Sequence, residues 1–312
     1  MNTPAEEDII VFRGPQRACL EFGLVLDAKA IAYQLIETES DWVLAVPAAL
    51  QSAAREELAR YAAERRKPRR YPPAMVPFPG APIGVLLYVL VLLLIAHAAG
   101  ASWFGIDWLA AGDLHRDAAP MLPWWRALTA LTLHLDALHL IGNLLFGAAI
   151  GVILGRMFGP GVAWAAILGA GMLANLVELW LAPADHRAAG ASTAVFAALG
   201  LLSGYGWGQR RRLAERWLHA YAPLIAGACL LALFGAGPEP SSVPGNEQPT
   251  GQVDALGHLL GFGSGVLLGF VFAHTGWPRS RRASVQAWAG CGALAALLAA
   301  WMRALWAALN LN

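Results

Sequence analysis

This chain is short of charge and nearly without cysteine. Only 14% of its 312 residues are Asp, Glu, Lys or Arg, while 57% are hydrophobic. A soluble domain carries about a quarter charged residues, so a water-exposed globule along the whole length is excluded. The 22 basic and 21 acidic side chains leave a net charge of +1, and nothing in that sum argues for a nucleic-acid partner; distribution matters more than the total. The three cysteines, Cys19, Cys229 and Cys291, are odd in number and scattered. They suggest neither a disulfide framework nor a metal motif. Met1–Ile10 is acidic and polar, so no cleavable signal peptide is expected.

What charge there is lies segregated. Residues 1–81 read as a cytosolic module and basic linker. Tyr33–Thr38 and Trp42–Val46 suggest two short strands around the turn Glu39-Ser40-Asp41. Ala48–Arg65 reads as an amphipathic helix, with Pro47 suiting its start and Leu50, Ala54, Leu58 and Tyr61 near helical spacing. Arg65-Arg66-Lys67-Pro68-Arg69-Arg70 is a juxtamembrane run that fits anionic lipid better than nucleic acid.

The remainder is apolar runs split by short polar loops. A helix needs roughly 20 apolar residues to span a bilayer. Seven such runs occur, at about 83–99, 137–157, 161–182, 190–207, 217–235, 252–274 and 284–309. The stretch Ser102–Leu133 is different: it carries Trp103, Trp108, Trp124 and Trp125 but is broken by proline and charge. Trp favours the membrane interface, so this loop is expected to lie partly in the outer leaflet. With the N-terminus inside, 18 of the 22 basic residues fall on the cytosolic side, and only Arg116, Arg126 and Arg187 fall in external loops. The positive-inside rule then places the N-terminus in the cytoplasm and the C-terminus outside.

Three of these runs carry polar groups of catalytic type near the same membrane face. One holds His139 and Asn143, one Ser192, one His258. Such groups inside apolar helices default to function. A serine hydroxyl needs a base to become a nucleophile, and an imidazole titrates near working pH. Gly261 and Gly265 share a helical face with His258. Small residues let membrane helices approach closely, and Ala191, Ala194 and Ala198 are the expected other half of that contact. His139 and Asn143, four apart, project from one face and offer two donors for a developing oxyanion.

Trp125-Arg126, His134-Leu135-Asp136-Ala137-Leu138-His139-Leu140-Ile141-Gly142-Asn143, Gly190-Ala191-Ser192 and Gly257-His258-Leu259-Leu260-Gly261, in that order, closely resemble the rhomboid intramembrane serine proteases. The resemblance covers roughly residues 83–275. It implies a bacterial, six-helix rhomboid-like bundle over residues 82–282, with an additional C-terminal transmembrane helix over 283–312. It implies a Ser192–His258 dyad without an aspartate, and an oxyanion site of His139, Asn143 and the Ser192 amide. It further implies that Phe196 packs on His258, and that the Trp125-Arg126 loop embeds in the outer leaflet. His134 is expected to anchor a loop. One departure is Thr193, where the family usually has glycine after the serine; its β-branch would crowd the pocket. Another is Gly257, where alanine commonly precedes the histidine.

The expectation is therefore an all-α polytopic membrane protein with a small N-terminal cytosolic α/β module. It would sit in a bacterial plasma (inner) membrane and cleave transmembrane protein substrates near the outer face, in contact with membrane lipid and without nucleic acid, metal or cofactor. The alternative is a catalytically weak rhomboid-like pseudoprotease that binds transmembrane clients. A transporter is disfavoured, since no inverted repeat or paired broken helices are found. Asp254 is expected at the wet mouth of its helix, Asn175 and Glu178 in a structural polar network, and residues 235–251 as a cap over the site.

Overall fold

The computed structural model describes residues 8–66, 76–116, 123–183, 185–212, 217–235, 254–275 and 283–310. The chain divides into two compact units, Met1–Pro72 and Pro73–Asn312. Most of the expected cap and of the basic run lies outside the described residues.

In the first unit the expected strands are β2 (Gln34–Glu37) and β3 (Trp42–Pro47). Their turn is closed by Thr38, whose hydroxyl donates to Asp41 O (2.7 Å) and accepts from Asp41 N–H (3.2 Å). The expected helix starts as a 3-10 turn, Ala48–Leu50, and continues as α2 (Gln51–Arg66). The sequence pattern does not anticipate β1 (Asp8–Gly14) or α1 (Gln16–Asp27). β1 has a register shift between Ile10 and Phe12, which breaks the alternation that would mark a strand. The sheet is antiparallel in the order β1-β3-β2. Leu26, Leu44, Val46, Ala54 and Leu58 form its buried core.

The second unit is helical. Its long helices are α3 (Ala81–Gly100), α6 (Ala137–Phe158), α7 (Pro160–Leu181), α8 (Ser192–Arg212), α9 (Trp217–Gly235), α10 (Ala255–Thr275) and α11 (Ala283–Asn310). Two short helices, α4 (Trp108–Gly112) and α5 (Arg126–Thr129), lie between α3 and α6. These seven long helices match the seven expected runs. Among the described residues, five of them (α3, α6, α7, α10 and α11) are long and apolar enough to cross a membrane, and α9 holds a shorter apolar stretch, Leu218–Leu233. α8 ends in Arg210-Arg211-Arg212 and packs against α6, α7, α9 and α10. A helix so enclosed meets protein where an outer helix meets lipid, and it needs fewer apolar residues. The outer helices show the converse: Leu86 and Leu90 of α3 and Trp288, Leu298 and Met302 of α11 are exposed. In water these faces would be a liability; in lipid they are the solvated surface.

The α4–α5 region is tied down by a buried arginine. Arg126 donates to Ala110 O (3.1 Å), Asp113 O (3.0 Å) and Asp113 Oδ1 (3.3 Å). Asn175 Nδ2 of α7 donates to Ala127 O (3.0 Å). α11 closes over this region: Arg303 stacks on Trp125 at 4.2 Å, and Trp301 Nε1 donates to Thr132 Oγ1 (3.1 Å).

The tightest helix pair is α8 with α10. Each presents glycine to the other's backbone. A Cβ at Gly261, Gly265 or Gly269 of α10 would strike the carbonyl oxygens of Thr193, Ala197 and Leu201, respectively. A Cβ at Gly200 or Gly204 of α8 would strike those of Phe262 and Val266. Of the expected partners Ala191, Ala194 and Ala198, the last two do not form the other half of this seam. Ala194 and Ala198 pack into the cluster of α6 and α7 side chains, and Ala194 lies against Gly171. Helical spacing identified a small-residue face on α8, but the face toward α10 is the one rotated by a residue.

Gly265→Val should therefore lower thermal stability by at least the ~1–3 kcal/mol usual for overpacking, because the obstacle is backbone. Gly263→Ala on the same helix meets open space and should leave the melting temperature unchanged. Thermal unfolding of both variants in detergent reads the difference.

Candidate active site

Three helices begin around one cavity. Ser192 is the first residue of α8, His258 lies in the first turn of α10, and His139 and Asn143 lie in the first two turns of α6. Ser192, His258, His139, Asn143, Phe196 and Gly190 all line a cavity of about 1230 Å³. Apolar side chains, among them Phe146, Ile150, Val195, Leu199 and Leu230, line it as well.

The α6 start is fixed by a cap. Asp136 accepts from His139 N–H (2.8 Å), satisfying one of the orphan donors of the first turn. His139 is thereby held where its helix begins. His134 is not on the helix at all; it precedes the cap, and its Nε2 lies 3.1 Å from Asn143 Nδ2. Burial, and secondarily the neighbouring His139, push the His134 imidazole down to about 4. A neutral imidazole has one acceptor nitrogen, and at this distance Nε2 is placed to take that role toward the Asn143 amide. The His134 and His139 rings stand 5.3 Å apart, so His134 is adjacent to the other donor as well. Behind Asn143, Tyr88 Oη donates to its main-chain oxygen (2.7 Å). Tyr88 reaches it across Gly147, where any Cβ would collide with the Tyr88 hydroxyl.

Ser192 Oγ and His258 Nε2 are 2.8 Å apart. This is hydrogen-bond distance without any intervening group. Gly190 leaves the room they share with His139: a Cβ there would stand 2.7 Å from His139 Cε1 and 3.3 Å from Ser192 Oγ. The Phe196 ring lies 4.6 Å from the His258 ring, centroid to centroid, tilted by 41°. Gly261 backs this arrangement, and the Thr193 methyl faces it, 3.2 Å from where a Cβ would be. The extra bulk of Thr193 is thus directed toward α10, although Thr193 also contributes to the cavity wall. The segment before α8 is sewn to the α4–α5 region by Gly190 N–H to Ala130 O (2.9 Å) and by the Leu114–Ala188 bridge.

Other expected residues sit farther out. Trp125 and Arg126 support the loop and do not line the cavity. Asp254 accepts from Gly257 N–H through Oδ1 (2.8 Å); it caps α10, consistent with a place at the helix mouth. Gly257 has room for nothing more, because a Cβ would strike Asp254 Oδ2 and come within 2.8 Å of Glu178 Oε2. The sequence reading missed Tyr88 and the Asp136 cap. The cap had a visible signal, an acidic residue three positions before a helical polar pair. Tyr88 had none, being 55 residues from its partner.

Chemically the cavity joins a hydroxyl with a base at bonding distance, two side-chain donors, and the free first-turn N–H groups of a helix. Helix starts favour negative charge, so an oxyanion formed at Ser192 would be stabilised there.

Residues 122–275 match the family model of the Rhomboid domain. The chain is 31% identical over 149 residues to "Rhomboid-like protease 2" of Toxoplasma gondii, covering 46% of this chain and 47% of that one. It is 37% identical over 79 residues to "Rhomboid protease GluP" of Bacillus subtilis (strain 168), covering 25% and 15%. It is 30% identical over 147 residues to "RHOMBOID-like protein 7" of Arabidopsis thaliana, covering 47% and 42%. The matches span less than half the length of each of these relatives. They include eukaryotic proteins and do not carry the expectation of a bacterial source.

Asp136→Ala should cost about 1 kcal/mol through loss of the cap. Thermal unfolding in detergent measures it; an unchanged melting temperature would mean that α6 starts independently of Asp136.

Proposed function

This chain carries a rhomboid domain, and we propose that it is an intramembrane serine endopeptidase working through Ser192 and His258. The observation that carries the reading is the 2.8 Å contact between Ser192 Oγ and His258 Nε2, inside a cavity that also receives Asn143 and His139. Ser192 Oγ attacks the substrate carbonyl carbon while its proton passes to His258 Nε2. The resulting oxyanion is met by Asn143 Nδ2, the His139 imidazole and the Ser192 N–H. The intermediate collapses with rupture of the C–N bond, and His258 returns the proton to the leaving amine. Water, deprotonated by His258, then attacks the acyl-serine and releases the acid; the proton goes back to Ser192.

The substrates are transmembrane proteins. Their cleavage site must unwind locally, because a helix occupies its own carbonyls in hydrogen bonds. Gly, Ala, Ser or Pro near that site lowers the resistance to unwinding. The apolar lining residues Phe146, Ile150, Val195, Leu199 and Leu230 suit the apolar flank of such a segment. The site faces outside water from the outer leaflet of a plasma membrane, with the N-terminus cytoplasmic and the C-terminus external. The support for this orientation is the positive charge of the loops.

The test is cleavage of a single-span substrate rich in small residues by purified protein in liposomes. Ser192→Ala and His258→Ala should each reduce turnover by at least about 10³-fold. Asn143→Ala should reduce kcat by about 10²–10³-fold with KM little changed. A parent chain that binds such substrates but cuts none would instead support the client-binding pseudoprotease.

A further inference from the structure

The group of ionisable side chains that this mechanism leaves unused lies at the outer ends of α7 and α10. Glu178 is 0% exposed near the end of α7. Its Oε1 meets His186 Nε2 at 2.7 Å. Among the described residues, no N–H or hydroxyl donor reaches its Oε2. That atom points at Asp254 Oδ2, since both converge on the space beside Gly257. One ligand atom from each of Glu178, His186 and Asp254 lies within 4.8 Å of the others.

Two facing carboxylates cannot both be ionised without a positive charge or a proton between them. The nearby basic side chain Arg187 is committed elsewhere, to Asp113 Oδ2 at 2.6 Å. An ionisable pair buried in an apolar bundle needs an explanation, and an imidazole joined to two carboxylates is a metal-ligand set. We infer that Glu178, His186 and Asp254 bind a divalent transition-metal ion, of which zinc is the representative. Zinc takes imidazole nitrogen and carboxylate oxygen at about 2.0–2.2 Å, so small side-chain shifts bring the three ligands together. Asp254 can serve both tasks: Oδ1 keeps the cap on Gly257 N–H, and Oδ2 is left for the ion. His186 and Asp254 line the large cavity, which gives an ion a route from water.

The ion ties the end of α7 and the segment preceding α8 to the start of α10, four residues before His258. It fixes the frame of the cavity and touches neither Ser192 nor His258. The three ligands come from separate segments of the chain, so no spacing in the sequence marks them as one group. The inference does not depend on protease activity.

The test uses the full chain carrying Ser192→Ala, stripped with chelator in detergent, with Zn²⁺ alone as the probe. The melting temperature should rise by several degrees with zinc concentration, as mass action requires for an ion held by the folded state. The rise should vanish in His186→Ala, whose side chain is partly exposed, and in Asp254→Asn. It should persist in His258→Ala, which separates the site from zinc on the proposed base. No rise in the parent chain would overturn the inference and leave a carboxyl pair sharing a proton. An equal rise in the parent and His186→Ala would also overturn it.

Discussion

Everything in the candidate site depends on how closely α8 and α10 approach. Ser192 and His258 sit at the first turns of these two helices, and a side chain between them would put both out of reach. Along the seam, glycines of each helix lie on main-chain carbonyls of the other. In lipid, burying apolar side chains between helices gains little, so packing of this kind is what holds them. The same contact serves stability and chemistry, because the distance between the helix axes sets the distance between hydroxyl and imidazole.

Around that seam the polar groups are placed by helix ends. α6, α8 and α10 all begin at the cavity, and two of them are capped by acidic residues just before their start, Asp136 and Asp254. Helix starts supply unpaired N–H groups and a favourable field for negative charge. The cavity can therefore hold polar groups at these helix starts while also being lined by apolar side chains. Arg126, buried among main-chain carbonyls and Asp113, holds the neighbouring loop, and that loop in turn fixes Gly190 through Ala130.

Much of this was legible in the sequence, and the reasons are physical. Apolar runs long enough to span a bilayer leave few alternatives to helices, so all seven long helices could be located. Polar residues inside such runs stand out, and Ser192, His258, His139 and Asn143 do line one cavity. What helical spacing does not give is which neighbour a face meets. The small-residue face of Ala194 and Ala198 was assigned to α10 and belongs beside α7. His134 was expected to anchor a loop; the cap at Asp136 starts the helix after it, and from that loop its Nε2 comes within 3.1 Å of Asn143 Nδ2. The Glu178, His186 and Asp254 group was invisible as a unit because it is assembled from three segments. In the first unit, β1 was hidden by its register shift.

The central claim is that Ser192 is made nucleophilic by a His258 held against it. The most direct measurement is the rate at which a fluorophosphonate probe modifies the intact chain in liposomes, with the modified residue located by peptide mass spectrometry. The account predicts modification at Ser192, lost when His258 is replaced by Ala while the fold is retained. Absence of modification at Ser192, or a rate indifferent to His258, would contradict it.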